Sequence, residues 1–130
     1  MFGTHADALV EDAVVVWLTT VRPDGQPQAS PVWFVFDGGE FLIYSRSGTP
    51  RARNITANPR VSLNLDSNQG GDVLTIEGAA RIVDSPVSTA HAGYQTKYAG
   101  LMARLGYTPD TFAAGYPVVI RVTPKRWRTH

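Results

Sequence analysis

The sequence predicts a mainly β chain with peripheral helices, an α+β arrangement in which six antiparallel strands close into a barrel. Three observations lead there. Short runs rich in Val, Ile, Thr and aromatic residues recur along most of the 130 residues, separated by Gly, Pro and Asp. Two of the separators read as hairpin turns, so successive strands run antiparallel. Six strands in so small a chain favour closure, because an open sheet would leave two long edges unpaired.

Taken in order, Thr4 to Asp12 places Ala6, Leu9, Val10 and Ala13 at helical spacing, with Thr4 as the cap, and predicts a short helix over one barrel end. "AVVVWLTTVRPDGQPQASPVWFVFDGGEFLIYS" then holds three β-rich runs, broken at Pro23-Asp24-Gly25 and at Asp37-Gly38-Gly39. After Asn58-Pro59, "VSLNLD" alternates Val61, Leu63 and Leu65 against polar neighbours and reads as a half-buried fourth strand. The fifth, "DVLTIEGAARIVD", carries Gly78 in its middle, which predicts a bulge or a close backbone approach. Ser85 and Pro86 open the one long helix, with Val87, Ala90, Tyr94, Tyr98, Leu101, Met102 and Leu105 on its apolar face and Gly106 as its stop. Thr108-Pro109-Asp110 starts a shorter one. "VVIRVTPKRW" closes the chain as the sixth strand, with Val118, Ile120 and Val122 on one face; Trp127 and the basic tail KRWR suit closure of the barrel first, and otherwise contact with a neighbouring subunit or an acidic cofactor tail.

At 43% hydrophobic residues the chain has enough material for a core and reads as one domain over residues 1–130. A net charge of +1 excludes the basic footprint of a nucleic-acid binder, and an oligonucleotide-binding barrel lacks its usual charge here. Any anion recognition has to come from a local cluster. There is no cysteine, which removes disulfides, thiolate metal sites and cysteine nucleophiles and fits a reducing cytoplasm. No leader and no membrane span are read in the sequence.

The motifs that are missing limit the chemistry further. HExxH, GxSxG, the Walker loop and GxGxxG are all absent, and the histidines at 5, 91 and 130 are scattered, so no metal site is expected. His91 falls on the long helix as a surface or packed residue. A protein-only hydrolase does not fit this inventory. Hard chemistry would belong to a bound cofactor, with the protein supplying position and electrostatics.

One stretch stands out for that role. In "SRSGTPRARNI" the third strand ends at Tyr44 or Ser45, a turn passes through Gly48, and Thr49-Pro50 caps a helix running to about Ala57. Arg51 and Arg53 then sit in its first turn, where the helix dipole disfavours cations unless an anion joins them. Ser45, Ser47 and Thr49 add hydroxyl donors. The cluster suits either a solvated loop whose arginines pair with acids elsewhere or a phosphate grip. A second candidate is "PQASPVWFVF", where Pro31 interrupts the ladder beside Ser30, Val32 and Trp33; it reads as an edge strand with a buried tryptophan or as the backing for a flat ring system.

These residues carry a family resemblance. "WLTTVRPDGQPQASPVWFVFDGGEFLIYSRSGTPRARNITANPRVSLNLD" resembles the N-terminal half of the pyridoxamine 5'-phosphate oxidase-like, FMN-binding split-barrel proteins, in particular the actinobacterial branch that uses the deazaflavin F420. "GGDVLTIEGAARIVD", the helix after it and "YPVVIRVTPKRWR" follow in the family's order. The resemblance implies a six-stranded split barrel acting as a homodimer with cofactor sites at the interface. It places Ser45, Arg46, Thr49, Arg51 and Asn54 at the cofactor phosphate, and Ser30, Pro31, Val32 and Trp33 along the ring system. Arg51 stands where many relatives carry lysine. The implied activity is hydride transfer from reduced F420 to a conjugated small-molecule acceptor, with FMN as the alternative cofactor and a non-catalytic carrier as the alternative role. No proton donor is assigned; water, a backbone N–H or Tyr44 would stabilise charge on the acceptor.

Overall fold

The structure, a computed structural model, describes residues 1–83 and 91–129. Among the described residues seven strands form one antiparallel sheet: β1 (Val16–Val21), β2 (Pro27–Val32), β3 (Val35–Asp37), β4 (Glu40–Ser45), β5 (Arg60–Ser67), β6 (Asp72–Val83) and β7 (Val118–Thr129). The hydrogen-bonded order is β2-β1-β5-β6-β7-β4-β3. Its two edge strands, β2 and β3, are consecutive in the chain and joined only by Trp33 and Phe34. A link that short spans about 10 Å at most, so the sheet curls until its edges meet. The barrel closes through this covalent link, without a β2–β3 ladder, and is therefore split.

Seven strands replace the six expected because the second β-rich run divides at Trp33-Phe34. The cause lies in α3 (Ala92–Arg104). The Phe34 N–H donates to the Tyr98 hydroxyl at 2.8 Å, and the Phe34 carbonyl accepts from Lys97 Nζ at 2.9 Å. Both backbone groups are thus satisfied by side chains from a helix, and neither is left for a ladder.

Alternation sorts the side chains between two cores. In β1, Val16, Leu18 and Thr20 point inward while Trp17 stays 49% exposed; Val61, Leu63 and Leu65 do the same in β5. β4 is buried on both faces. Phe41 and Ile43 join the barrel core, whereas Leu42 and Tyr44 pack outside it against Tyr94, Tyr98 and Met102 of α3 and Phe112 of α4 (Pro109–Gly115). Each fully buried Leu, Ile or Phe contributes about 1.5–3 kcal/mol, so this outer layer anchors α3 and α4 firmly over β4.

Gly78 behaves as expected. The β6–β7 register shifts between Glu77 and Gly78, and a Cβ at position 78 would lie 2.8 Å from Val122 Cγ1 and 2.9 Å from the Thr123 carbonyl oxygen. Only a residue without a side chain lets the bulge pass β7 this closely.

Three helix expectations need correction or relocation. In α1 (Thr4–Asp12) the cap position is Gly3, and Thr4 is the first helical residue. Gly3 gives no side-chain cap, and Asp7 in the first turn accepts from the Phe2 N–H at 2.9 Å and from the terminal ammonium at 3.2 Å. For α3, Ser85, Pro86, Val87 and Ala90 lie outside the described residues, as does His130. The described helix is capped instead by His91, whose Nδ1 accepts from the Gly93 N–H at 3.1 Å. Leu105, expected in the core, ends α3 and is 62% exposed. No helix among the described residues is long and apolar enough to cross a membrane.

Candidate functional site

The turn after β4 and the start of α2 (Pro50–Ala57) form as the local signals dictate. Thr49 is extended, its Oγ1 accepts from the Ala52 N–H at 3.3 Å, and Pro50 occupies the first helical position. Arg51 therefore leaves the first turn towards the sheet. Its Nε donates to Ser30 Oγ on β2 at 3.1 Å, and a terminal nitrogen donates to Ser45 Oγ, at the end of β4, at 2.9 Å. Ser45 is fully buried and lies 3.3 Å from Thr49 Oγ1.

Ser30, Ser45 and Thr49 thus form a hydroxyl cluster beside one half-buried guanidinium. Among the described residues no carboxylate pairs with it, and burial holds its pKa below the ordinary arginine value. A buried cation solvated by neutral hydroxyls alone is costly unless an anion completes its environment. Arg53 does not share this position. It donates to the Gly48 carbonyl at 2.6 Å and closes the preceding turn.

Arg51 opens on a cavity of ≈ 290 Å³. Of the expected site residues, Pro31, Val32, Trp33, Arg46, Thr49 and Arg51 line it, with Ser30 and Ser45 behind as partners of Arg51. Asn54 is turned away. Its amide is buried and donates to Thr20 Oγ1 at 3.0 Å and to Gln28 Oε1 at 2.8 Å, tying α2 to β1 and β2.

The opposite part of the lining was not among the expected residues. Tyr94, Leu105, Tyr107, Phe112 and Tyr116 come from α3, α4 and the loops around them, and among the described residues no acid lines the cavity. The signal for them was present as aromatic density: four of the five tyrosines lie between positions 94 and 116. Trp33 stacks on Tyr98 with ring centroids 4.6 Å apart and planes at 4°. Tyr44 also lines the cavity, and its hydroxyl accepts from the His91 N–H at 2.7 Å. Burial pushes the Tyr94 and Tyr116 hydroxyls up from their ordinary values, so both stay protonated at neutral pH. His91 itself stays out of the cavity, with Nε2 3.5 Å from Asp37.

A barrel split beside a basic helix start, facing an aromatic wall, defines a split-barrel protein with a cleft at the split. The chain belongs to the pyridoxamine 5'-phosphate oxidase family, whose model matches residues 2–130. Among solved structures, an F420 reductase is 29% identical over 94% of both chains, with a TM-score of 0.70. The fold is shared more widely. A heme storage protein from Vibrio cholerae is 19% identical over 95% of this chain and 90% of its own, with a TM-score of 0.69. An FAD-binding protein from Mesorhizobium loti is 18% identical over 95% and 88%, with a TM-score of 0.65.

Proposed function

We propose that this protein is an oxidoreductase that binds the deazaflavin F420 in the cleft and reduces a conjugated small-molecule acceptor. The observation that carries the reading is Arg51: among the described residues it is a half-buried guanidinium with hydroxyl partners and no acid in its cavity. A phosphate fits there, because it would supply the missing charge and accept from Arg51, Ser30, Ser45 and Thr49 together. Pro31, Val32 and Trp33 would back the ring system, since Pro31 has no N–H and β2 is an edge strand. Identity with the F420 reductase supports the deazaflavin in particular.

When bound in reduced form, the deazaflavin supplies a hydride. The chain's own residues bind, orient and exclude water. Arg51 and its hydroxyls would hold the phosphate end, and the apolar wall of Trp33, Phe112 and Tyr116 would keep the reacting carbons dry. Tyr44 is the cavity hydroxyl beside the closing strand, where it can donate to charge developing on the acceptor.

The phosphate grip serves FMN equally well, so an FMN enzyme of the same fold is the second reading. Titration of the purified protein with oxidised F420 and with FMN separates them: tighter F420 binding is expected, and tighter FMN binding overturns the assignment. The same cleft and its two arginines would also suit a carrier. Consumption of reduced F420 in the presence of enones or quinones is the result expected of the enzyme; binding without consumption identifies a carrier.

The proposal extends to a homodimer. Trp17 stands opposite Pro31 in the β1–β2 register, and both are exposed, so the outer face beside the cleft is apolar and suits a second copy of the chain. Light scattering is expected to give twice the 14.1 kDa chain mass.

A further inference from the structure

Two arginines reach this cavity, and different elements hold them. Arg51 is fastened to β2 and β4 through serine hydroxyls. Arg46, one residue beyond β4, is exposed and leans the other way. Its guanidinium lies 4.7 Å from the centre of the Tyr116 ring and donates to the Tyr107 hydroxyl at 3.2 Å. No carboxylate pairs with it among the described residues.

Beneath Arg46 the rings are close to parallel. Tyr116 stacks on Phe112 at 4.6 Å and 16°, Phe112 faces Trp33 at 6.1 Å and 14°, and Trp33 stacks on Tyr98 at 4.6 Å and 4°. A guanidinium seated on an aromatic face is preorganised and keeps its remaining N–H groups for a planar anion. The stacked rings of Trp33, Phe112 and Tyr116 line the cavity with their edges and carry, on the end face of Tyr116, a cation other than the hydroxyl-bound Arg51.

Resting on the reading that the cleft reduces a conjugated acceptor, we propose that Arg46 selects that acceptor, and that the acceptor is a planar quinone or enone carrying a carboxylate or sulfonate. In the reduction the hydride adds with its electron pair to an electrophilic carbon of the acceptor. The π pair moves onto the carbonyl oxygen, a proton from water completes the product, and the cofactor is left oxidised by two electrons. Arg46 takes no part in that exchange; it is a positioning residue acting through the anionic substituent. The same chemistry would let it grip an anionic tail of the cofactor, and the test distinguishes the two sources.

The probes are 1,4-naphthoquinone-2-sulfonate and neutral 2-methyl-1,4-naphthoquinone, used with wild type, Arg46→Gln and Arg46→Lys, each checked by thermal unfolding. The chain has no cysteine to add to either quinone. With reduced F420, Arg46→Gln is expected to raise KM for the sulfonate by about tenfold or more, the scale of a lost charged hydrogen bond. The readout is the difference between the two quinones: KM for the sulfonate should rise at least about tenfold more than KM for the neutral quinone. Arg46→Lys restores part of the loss. Equal losses with both quinones, or weaker F420 binding, overturn the proposal, the latter assigning Arg46 to the cofactor tail. Calorimetry of the sulfonate with cofactor-free protein provides the separate readout. If wild type binds neither F420 nor FMN, the functional reading fails by itself. The binding of the sulfonate to Arg46→Gln then still decides: weakened binding supports anion selection, and unchanged binding overturns it.

Discussion

Arg51 and Asn54 sit three positions apart on α2 and do opposite things. The Arg51 guanidinium is half-buried and has no counter-charge among the described residues, which is a cost to the empty protein and an asset once an anion arrives. Arg51→Ala is therefore expected to weaken F420 or FMN binding by about 1.5–3 kcal/mol without lowering the Tm of the cofactor-free protein; fluorescence titration and thermal unfolding check the two halves separately. Asn54 donates to the buried Thr20 hydroxyl and to Gln28. Asn54→Ala is expected to destabilise the fold by about 1–3 kcal/mol, the cost of stranding buried polar partners. Denaturant titration of the variant measures this. The Thr49-Pro50 cap beside them was legible because a cap is local: an extended residue with an acceptor side chain, followed by a residue with its φ already set. Whether a particular arginine faces hydroxyls or a loop carbonyl depends on strands far away in the chain; capping chemistry puts Arg51 and Arg53 in the same first turn, and among sequence signals only the family resemblance separates them.

At the scale of elements, the division of one β-rich run into β2 and β3 shapes the site. Tyr98 makes that break. Its hydroxyl accepts from the Phe34 N–H and donates to the Val14 carbonyl at 2.7 Å, while its ring supports Trp33. Tyr98→Phe keeps the ring and removes the hydroxyl, leaving the Phe34 N–H buried without that acceptor. A loss of about 1–3 kcal/mol in denaturant titration is expected, and altered Trp fluorescence would report a loosened Trp33. Gly78 gives the complementary case in β6. Its bulge was legible because a mid-strand glycine gives up side-chain packing and backbone order, a cost that a bulge or a close backbone approach offsets. Gly78→Ala is expected to cost about 1–3 kcal/mol by overpacking against Val122 and the Thr123 carbonyl; the Tm of the variant tests it.

Across the whole molecule, Glu40 joins β4 to the two long strands. It pairs with Arg81 of β6, accepts from Thr123 of β7 at 2.7 Å and lies 3.7 Å from Arg121. The Arg81 hydrogen bond above all, then Thr123, draws its pKa down from 4.5 to about 2. A carboxyl depressed in the folded state stabilises above its unfolded pKa and loses that contribution as pH falls through the folded one. Wild type is therefore expected to lose stability between about pH 4.5 and 2, and Glu40→Gln to lose less over that window; acid titration followed by circular dichroism compares them. The sequence by itself determined the strand-rich class, the hairpin turns, the bulge at Gly78 and the capped start of α2, because each rests on a few adjacent residues and their backbone preferences. The seventh strand, the aromatic wall and the separate settings of Arg46 and Arg51 were decided by tertiary structure alone. They depend on contacts between residues some 60 positions apart, such as Phe34 with Tyr98 and Arg46 with Tyr107, and only closure of the barrel brings such residues together.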